Sequence, residues 1–207
     1  MTLMTTLTSN KLNRRGFIVS GVALAAFGAA APALALNDAQ ATALITASLK
    51  DVNAAIASGK NGNALYADFE RIFNKYADVP IIAQSALGIA ARQATPAQLS
   101  AYTTAYRGYL ARKYGRRFKE FDGARFEVVS SRPVKSYYEV KSNAFLKGKS
   151  PFEVMWHVSN KSGKDLFFNI IIEGVNMLAS ERSEIGAMLD KRKGNIDALI
   201  ADLKTAG

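Results

Sequence analysis

His157 is the only histidine in the chain, and cysteine is absent. A single imidazole without thiols cannot build a clustered Cys/His metal site or a thiol nucleophile, so composition excludes both. No G-x-S-x-G elbow and no phosphate-cradling glycine loop occurs. A carboxylate in an apolar pocket is a further possibility for proton transfer. Asp122, Glu127, Glu139 and Glu173 lie in or beside apolar runs, where a carboxylate enclosed by hydrophobic side chains is suited to act as a base. His157, between Trp156 and Val158, reads as a structural side chain. Glu173 stands just before Gly174-Val175, and its simpler role is to cap the helix that follows.

These few polar groups sit among segments whose main signal is hydrophobic. Phe152 to Val158 and Leu166 to Ile172 are apolar runs of strand length flanking the polar turn Ser159-Asn160-Lys161-Ser162-Gly163-Lys164, which predicts a hairpin with a long loop. Alternation puts Phe152, Val154, Trp156 and Val158 on one face and Met155 and His157 on the other. Phe167 and Phe168 fall on opposite faces, as do Ile170 and Ile171. A sheet apolar on both faces must be covered twice or must line a cavity.

The elements that position these runs follow from periodicity. Asn37 to Ala57 carries Ala41, Leu44, Ile45, Leu49, Val52 and Ile56 at close to helical spacing. Leu65, Phe69, Ile72, Phe73 and Tyr76 repeat the pattern in a second helix that stops or restarts at Pro80. A short apolar helix, Ile81 to Ala91, precedes Thr95-Pro96, where threonine caps and proline takes the first helical position. From Pro96 to about Phe121 a long helix shows Leu99, Tyr102, Tyr106, Tyr109, Leu110, Tyr114 and Phe118 on one side and Arg112, Arg116 and Lys119 on the other. Gly108 and Gly115 within it suit a close approach by another element or a bend. After the turn Asp122-Gly123 the period becomes that of strands: Phe126 to Val134, Tyr137 to Leu146, Pro151 to Val158 and Asp165 to Glu173 predict four strands in an antiparallel meander. Ser180 to Leu189 and Asn195 to Leu203 return to helical spacing. The order predicts an α+β fold with a helical layer on one face of a mainly antiparallel four-stranded sheet.

The stretches ATPAQLSAYTTAYRGYLARKYGRRFKEFDGARFEVVSSRPV and FFNIIIEGVNMLASERSEIGAMLDKRKGNIDALIADLK closely resemble the MlaC-like family of periplasmic lipid carriers, also known from toluene-tolerance ABC transport systems. The resemblance covers most of residues 80 to 203, carried by the ordered series and not by any one short motif. Relatives usually place an aspartate at the position of Asn169, a small residue at Asn176 and a tryptophan near Asp165-Leu166-Phe167. The resemblance implies a curved sheet in an NTF2-like cone, with acyl chains held between sheet and helices and no cofactor. The residues placed to touch the tails are then Tyr106, Tyr109, Leu110, Tyr114, Phe126, Val128, Tyr138, Val140, Val154, Trp156, Phe168, Ile170 and Ile172. Periodicity alone reads the same residues equally well as ordinary core.

The first 35 residues carry Lys11, Arg14 and Arg15 and no acidic group. The uncharged stretch Gly16 to Leu34 then leads into Ala33-Leu34-Ala35, the pattern of a cleaved signal peptide. The paired arginines suit the twin-arginine export route, with an ordinary Sec signal as the alternative. A single mature domain, residues 36 to 207, is then expected in the periplasm. Charge is concentrated: residues 107 to 149 hold 12 Lys and Arg against 4 Asp and Glu, a net of +8. Such a field attracts anionic membrane surfaces or acidic partners, and export removes nucleic acid from consideration. Arg116, Arg117, Arg125 and Arg132 form the expected patch for docking partners or headgroups.

By resemblance the partners are a phospholipid, an inner-membrane ABC transporter complex and an outer-membrane lipid-transport complex, with transient membrane contact. The alternatives are a hopanoid or other apolar lipid as cargo, an enzyme using one carboxylate in the same cavity, or a peripheral membrane adaptor using the basic face alone.

Overall fold

The structure, a computed structural model, describes residues 36 to 207 apart from Asp122 and the side chains of Phe118 and Lys119. The signal peptide expected over residues 1 to 35 and the carboxylate expected at Asp122 lie outside the described residues. Three helices come first: α1 (Asp38–Ala57), α2 (Gly62–Tyr76) and α3 (Val79–Leu87), the last continued by one 3-10 stretch, Gly88–Arg92. Next is α4 (Pro96–Gly115), followed by a 3-10 turn, Phe118–Phe121. Strands β1 (Arg125–Val134), β2 (Tyr137–Phe145), β3 (Phe152–Ser159), β4 (Leu166–Ile172) and β5 (Val175–Asn176) form one antiparallel sheet in sequential order. Two helices close the chain, α5 (Met177–Lys191) and α6 (Ile196–Leu203). The sheet has five strands where alternation predicted four, because a two-residue strand is too short to show a period.

Local chemistry accounts for most element ends. Asn37 and Gln40 form a reciprocal capping box at the start of α1, and Thr95 and Gln98 form another at α4. Pro96 occupies the first position of α4 and lacks only an N–H that would have been unpaired. Pro80 restarts the chain as the second residue of α3, behind Asp78, whose side chain accepts from Ile81 N at 3.3 Å. The helix predicted to run to Phe121 stops at Gly115, where the chain tightens into 3-10 geometry. The cap of α5 is Asn176, whose Oδ1 accepts from Ala179 N at 3.1 Å. Glu173 does not cap the helix; it sits in the β4–β5 turn with φ 48°.

Two bulges bend the sheet. One interrupts β1 between Val128 and Ser130, and the other falls where β4 meets His157 and Val158 of β3. The second bulge changes which side chains share a face. Trp156 pairs with Ile170 and Val154 with Ile172, but Val158 pairs with Phe167. Phe167 therefore joins Trp156, with ring centroids 5.4 Å apart. Phe168, expected on that face by simple alternation, instead packs its ring against Tyr137 and His157 on the opposite face, at 5.6 and 5.7 Å.

Buried side chains form two clusters. One joins α1 and α2 to the sheet through Ile45, Phe69, Val140 and Trp156, and the other joins α3 to α6 through Tyr102, Tyr106, Ile185 and Leu199. Between the polar groups of the first cluster, Trp156 Nε1 donates to Ser142 Oγ at 3.0 Å, so a fully buried hydroxyl satisfies the indole. The joint between α2 and α3 is fastened to the sheet edge, where Asp78 N donates to Phe167 O at 2.8 Å.

Candidate functional site

A cavity of about 660 Å³ lies between the helices and the sheet. Its wall is mostly apolar and comes from every layer: Leu49, Val52 and Ile56 of α1, Phe69, Ile72 and Phe73 of α2, Tyr106, Leu110 and Tyr114 of α4, and Val154, Trp156, Ile170 and Ile172 of the sheet. Tyr106, Leu110 and Tyr114 recur every four residues, so one stripe of α4 lines the cavity along its length. The exposed lining residues come from three segments only. Arg117 and Glu120 follow α4, Lys149 and Ser150 lie in the β2–β3 turn, and Glu173 lies in the β4–β5 turn, next to Val175 at the start of β5. These segments mark the mouth.

Of the thirteen side chains the sequence singled out for tail contact, Tyr106, Leu110, Tyr114, Phe126, Val154, Trp156, Phe168, Ile170 and Ile172 border this cavity. Phe168 does so with its ring turned toward Tyr137 and His157, for the bulge reason given above. Tyr109, Val128, Tyr138 and Val140 do not line it. The last three lie on the β1 and β2 side of the sheet, where they pack into the cluster that α1 completes; Val140 is fully buried there. The α1 helix is also tied to β1 by Ser131 Oγ, which donates to Asp38 Oδ1 at 3.0 Å. Tyr109 turns into the second cluster, where its hydroxyl donates to Glu184 Oε1 at 2.5 Å. The lining from α1, α2 and Phe167 was visible in the sequence as apolar stripes, but nothing local distinguishes a stripe that faces a cavity from one that faces other side chains.

One polar assembly on the wall had no sequence signal. Lys113 Nζ of α4 donates to Glu181 Oε1 at 2.7 Å and to Glu184 Oε2 at 2.5 Å on α5, while Tyr114 Oη donates to Glu181 Oε1 at 2.5 Å. Glu181 is buried and borders the cavity. Burial pulls the Lys113 ammonium down, but its hydrogen bonds to the two glutamates outweigh that and leave it raised. Burial, reinforced by the Glu181 charge, pushes the hydroxyls of Tyr102, Tyr106 and Tyr114 far above their ordinary range, so all three stay protonated. The result is a charged clamp between α4 and α5 beside an apolar chamber.

Among the described residues, the carboxylates considered as bases, Glu127, Glu139 and Glu173, do not gather in the cavity. Glu127 pairs with Arg125. Glu139 pairs with Arg132 and stands 3.6 Å from His157 Nε2, on the sheet face opposite Trp156. Glu173 is at the mouth and exposed. His157 is packed between Tyr137 and Phe168, and burial lowers its pKa against the opposing pull of Glu139. Its Nδ1 lies 3.4 Å from Asn169 Nδ2, while Asn169 Oδ1 accepts from Ile170 N and Leu178 N. This joins β3, β4 and the start of α5.

The four arginines are also dispersed. Arg116 and Arg117 are exposed beside the mouth. Arg125 stacks over the Phe145 ring, 4.0 Å from its centroid, and Arg132 sits toward the far end of β1 beside Glu139. Sequence proximity suggested one patch, but a strand carries residues 125 and 132 to opposite ends of the sheet.

The fold and the site define an α+β protein built around a deep apolar chamber with a polar mouth. The chain belongs to the MlaC protein family, whose match spans residues 42–205. Among solved structures, the phospholipid-binding protein from Ralstonia solanacearum, determined in complex with a phospholipid, shares the fold with a TM-score of 0.65 at 21% sequence identity. The alignment covers 79% of this chain and 94% of that one.

Proposed function

We propose that this protein is a periplasmic carrier that takes phospholipid acyl chains into the cavity and moves the lipid between inner-membrane and outer-membrane complexes of an ABC-type transport system. The observation that carries this reading is the chamber of about 660 Å³ lined by apolar side chains from both layers and open at one charged mouth. The phospholipid bound by the similar Ralstonia solanacearum protein supports the same ligand class. On this reading the first 35 residues direct export and are removed, and the carrier performs no covalent chemistry.

The energetics require such a chamber. Exposing two acyl chains of roughly 30 methylenes in total costs on the order of 20 kcal/mol, at about 0.8 kcal/mol each. Transit through water needs nearly complete burial of the tails. Release needs the bound and membrane-resident states to stay close in free energy, which a snug apolar wall without covalent or ionic anchoring of the tails provides.

The test is native mass spectrometry of residues 36 to 207 isolated from the periplasm without detergent, followed by identification of the organic-soluble material released. The carrier reading expects close to one diacyl lipid per protein. A protein that is empty and also takes nothing from phospholipid vesicles overturns it.

A further inference from the structure

Two opposite charges at the cavity mouth have no ion-pair or hydrogen-bond partner for their side chains among the described residues: Lys149 and Glu173. The other two charged groups of the mouth, Arg117 and Glu120, approach each other at 3.6 Å. Lys149 is held in place by its turn. Its backbone N donates to Leu146 O at 3.2 Å, and both Leu146 and Phe152, on either side of it, line the chamber. Glu173 directly follows the neighbouring strand β4, and its N donates to Glu153 O at 3.1 Å. Lys149 and Glu173 therefore stand at the same end of the β3–β4 pair.

The backbone at Glu173 adds a second observation. Its φ of 48° lies in the left-handed region, where glycine or asparagine sits at ease and a glutamate is strained. The turn already has Gly174 at φ 80°, so the neighbour uses the residue the geometry favours while position 173 does not. A long carboxylate at a strained position on the rim points to a role for that carboxylate.

We infer that Lys149 and Glu173 form a headgroup site for a zwitterionic phospholipid, with Lys149 facing the phosphate and Glu173 facing the ammonium. This rests on the carrier reading above and assigns the headgroup class to the same site. A phosphate with a nearby ammonium presents both charges to two adjacent turns, whereas a headgroup with phosphate alone leaves Glu173 beside a negative ligand. Both protein groups are exposed, so the discrimination is modest, about 1.5- to fivefold, the range of solvent-exposed ion pairs.

The experiment incubates delipidated protein with vesicles of equal phosphatidylethanolamine and phosphatidylglycerol of identical chains, re-isolates it and measures the two bound lipids by mass spectrometry. Wild type is expected to hold about 1.5 to five times more phosphatidylethanolamine. Glu173→Gln, isosteric and on the surface, is expected to bring the ratio to one or below. Lys149→Gln is expected to lower uptake of both phospholipids more than uptake of diacylglycerol, which lacks the phosphate. Equal or greater phosphatidylglycerol in wild type, or an unaltered ratio in Glu173→Gln, overturns the headgroup site while total uptake still supports the carrier. Uptake of neither lipid overturns both.

Discussion

A Cβ placed on Gly115 would stand 2.5 Å from Tyr66 Cδ1 and 2.8 Å from Cε1. The last turn of α4 thus presses its bare backbone against an aromatic ring of α2, and both helices line the cavity. In an isolated helix Gly→Ala is worth about 1 kcal/mol in favour of the helix. Here the added methyl collides with a ring, and overpacking of this kind costs about 1–3 kcal/mol. Gly115→Ala is therefore expected to destabilise the protein in urea unfolding, and in a Tyr66→Ala background the same change is expected to be neutral or stabilising. Additive effects in the double-mutant cycle would show that the contact does not matter.

Lys113 and Glu181, 68 residues apart, predict the cost of breaking the α4–α5 clamp. Lys113→Met leaves a buried carboxylate with only the Tyr114 hydroxyl on it, and removing one partner of a buried pair costs about 3–5 kcal/mol. Lys113→Met combined with Glu181→Leu is expected to recover most of that loss, since the charge left without Lys113 is then the solvent-exposed Glu184 and no buried carboxylate remains unpaired. Urea midpoints of the three proteins check this, and a single variant as stable as wild type would refute the clamp.

Filling the chamber tests the carrier reading directly. Val154 and Ile172 face each other across β3 and β4, as do Trp156 and Ile170, and all four line the cavity. Val154→Trp or Ile170→Trp places an indole in the space proposed for tails. Each variant is expected to retain the circular dichroism of the wild type and to lose co-purifying lipid. Wild-type lipid content in both would move the tails elsewhere.

Acid is expected to weaken the fold in two stages. His157 is depressed from 6.5 because burial disfavours its charged form, so the unfolded chain binds a proton first and stability falls as pH drops below about 6.5. Burial would raise Glu184 from 4.5, but hydrogen bonds from Lys113 and Tyr109 lower it, so its contribution is present above that value and is lost as pH falls through the folded value. Melting temperature against pH is expected to show both declines, the first removed in His157→Gln and the second reduced in Glu184→Gln. A flat profile from pH 7 to 5.5 would contradict the buried neutral imidazole.

Much of the fold was legible because its signals are local. Thr95-Pro96 starts α4 where a capping box and a fixed proline φ must start it, and the alternating runs from Phe126 onward became strands at nearly the predicted bounds. Gly108 and Gly115 were readable as places of close approach, and Glu70 and Tyr66 turned out to be what approaches. The candidate wall was readable only as a set of apolar stripes. Whether Tyr106 or Tyr109 borders the chamber depends on about 60° of rotation around α4 and on which helices lie beside it.

The sequence by itself therefore determined the α+β order, the start of α4, the strand alternation and the family, because caps, periods and turns are set by residues within a few positions of one another. Tertiary structure alone decided that a bulge turns Phe167, in place of Phe168, toward Trp156, and that the cluster completed by α1 takes Val140. It also decided that Lys113 finds Glu181, and that three separate turns meet as one mouth. Those outcomes depend on contacts between distant segments, where side-chain volume, register and charge pairing are settled together and no local pattern specifies them.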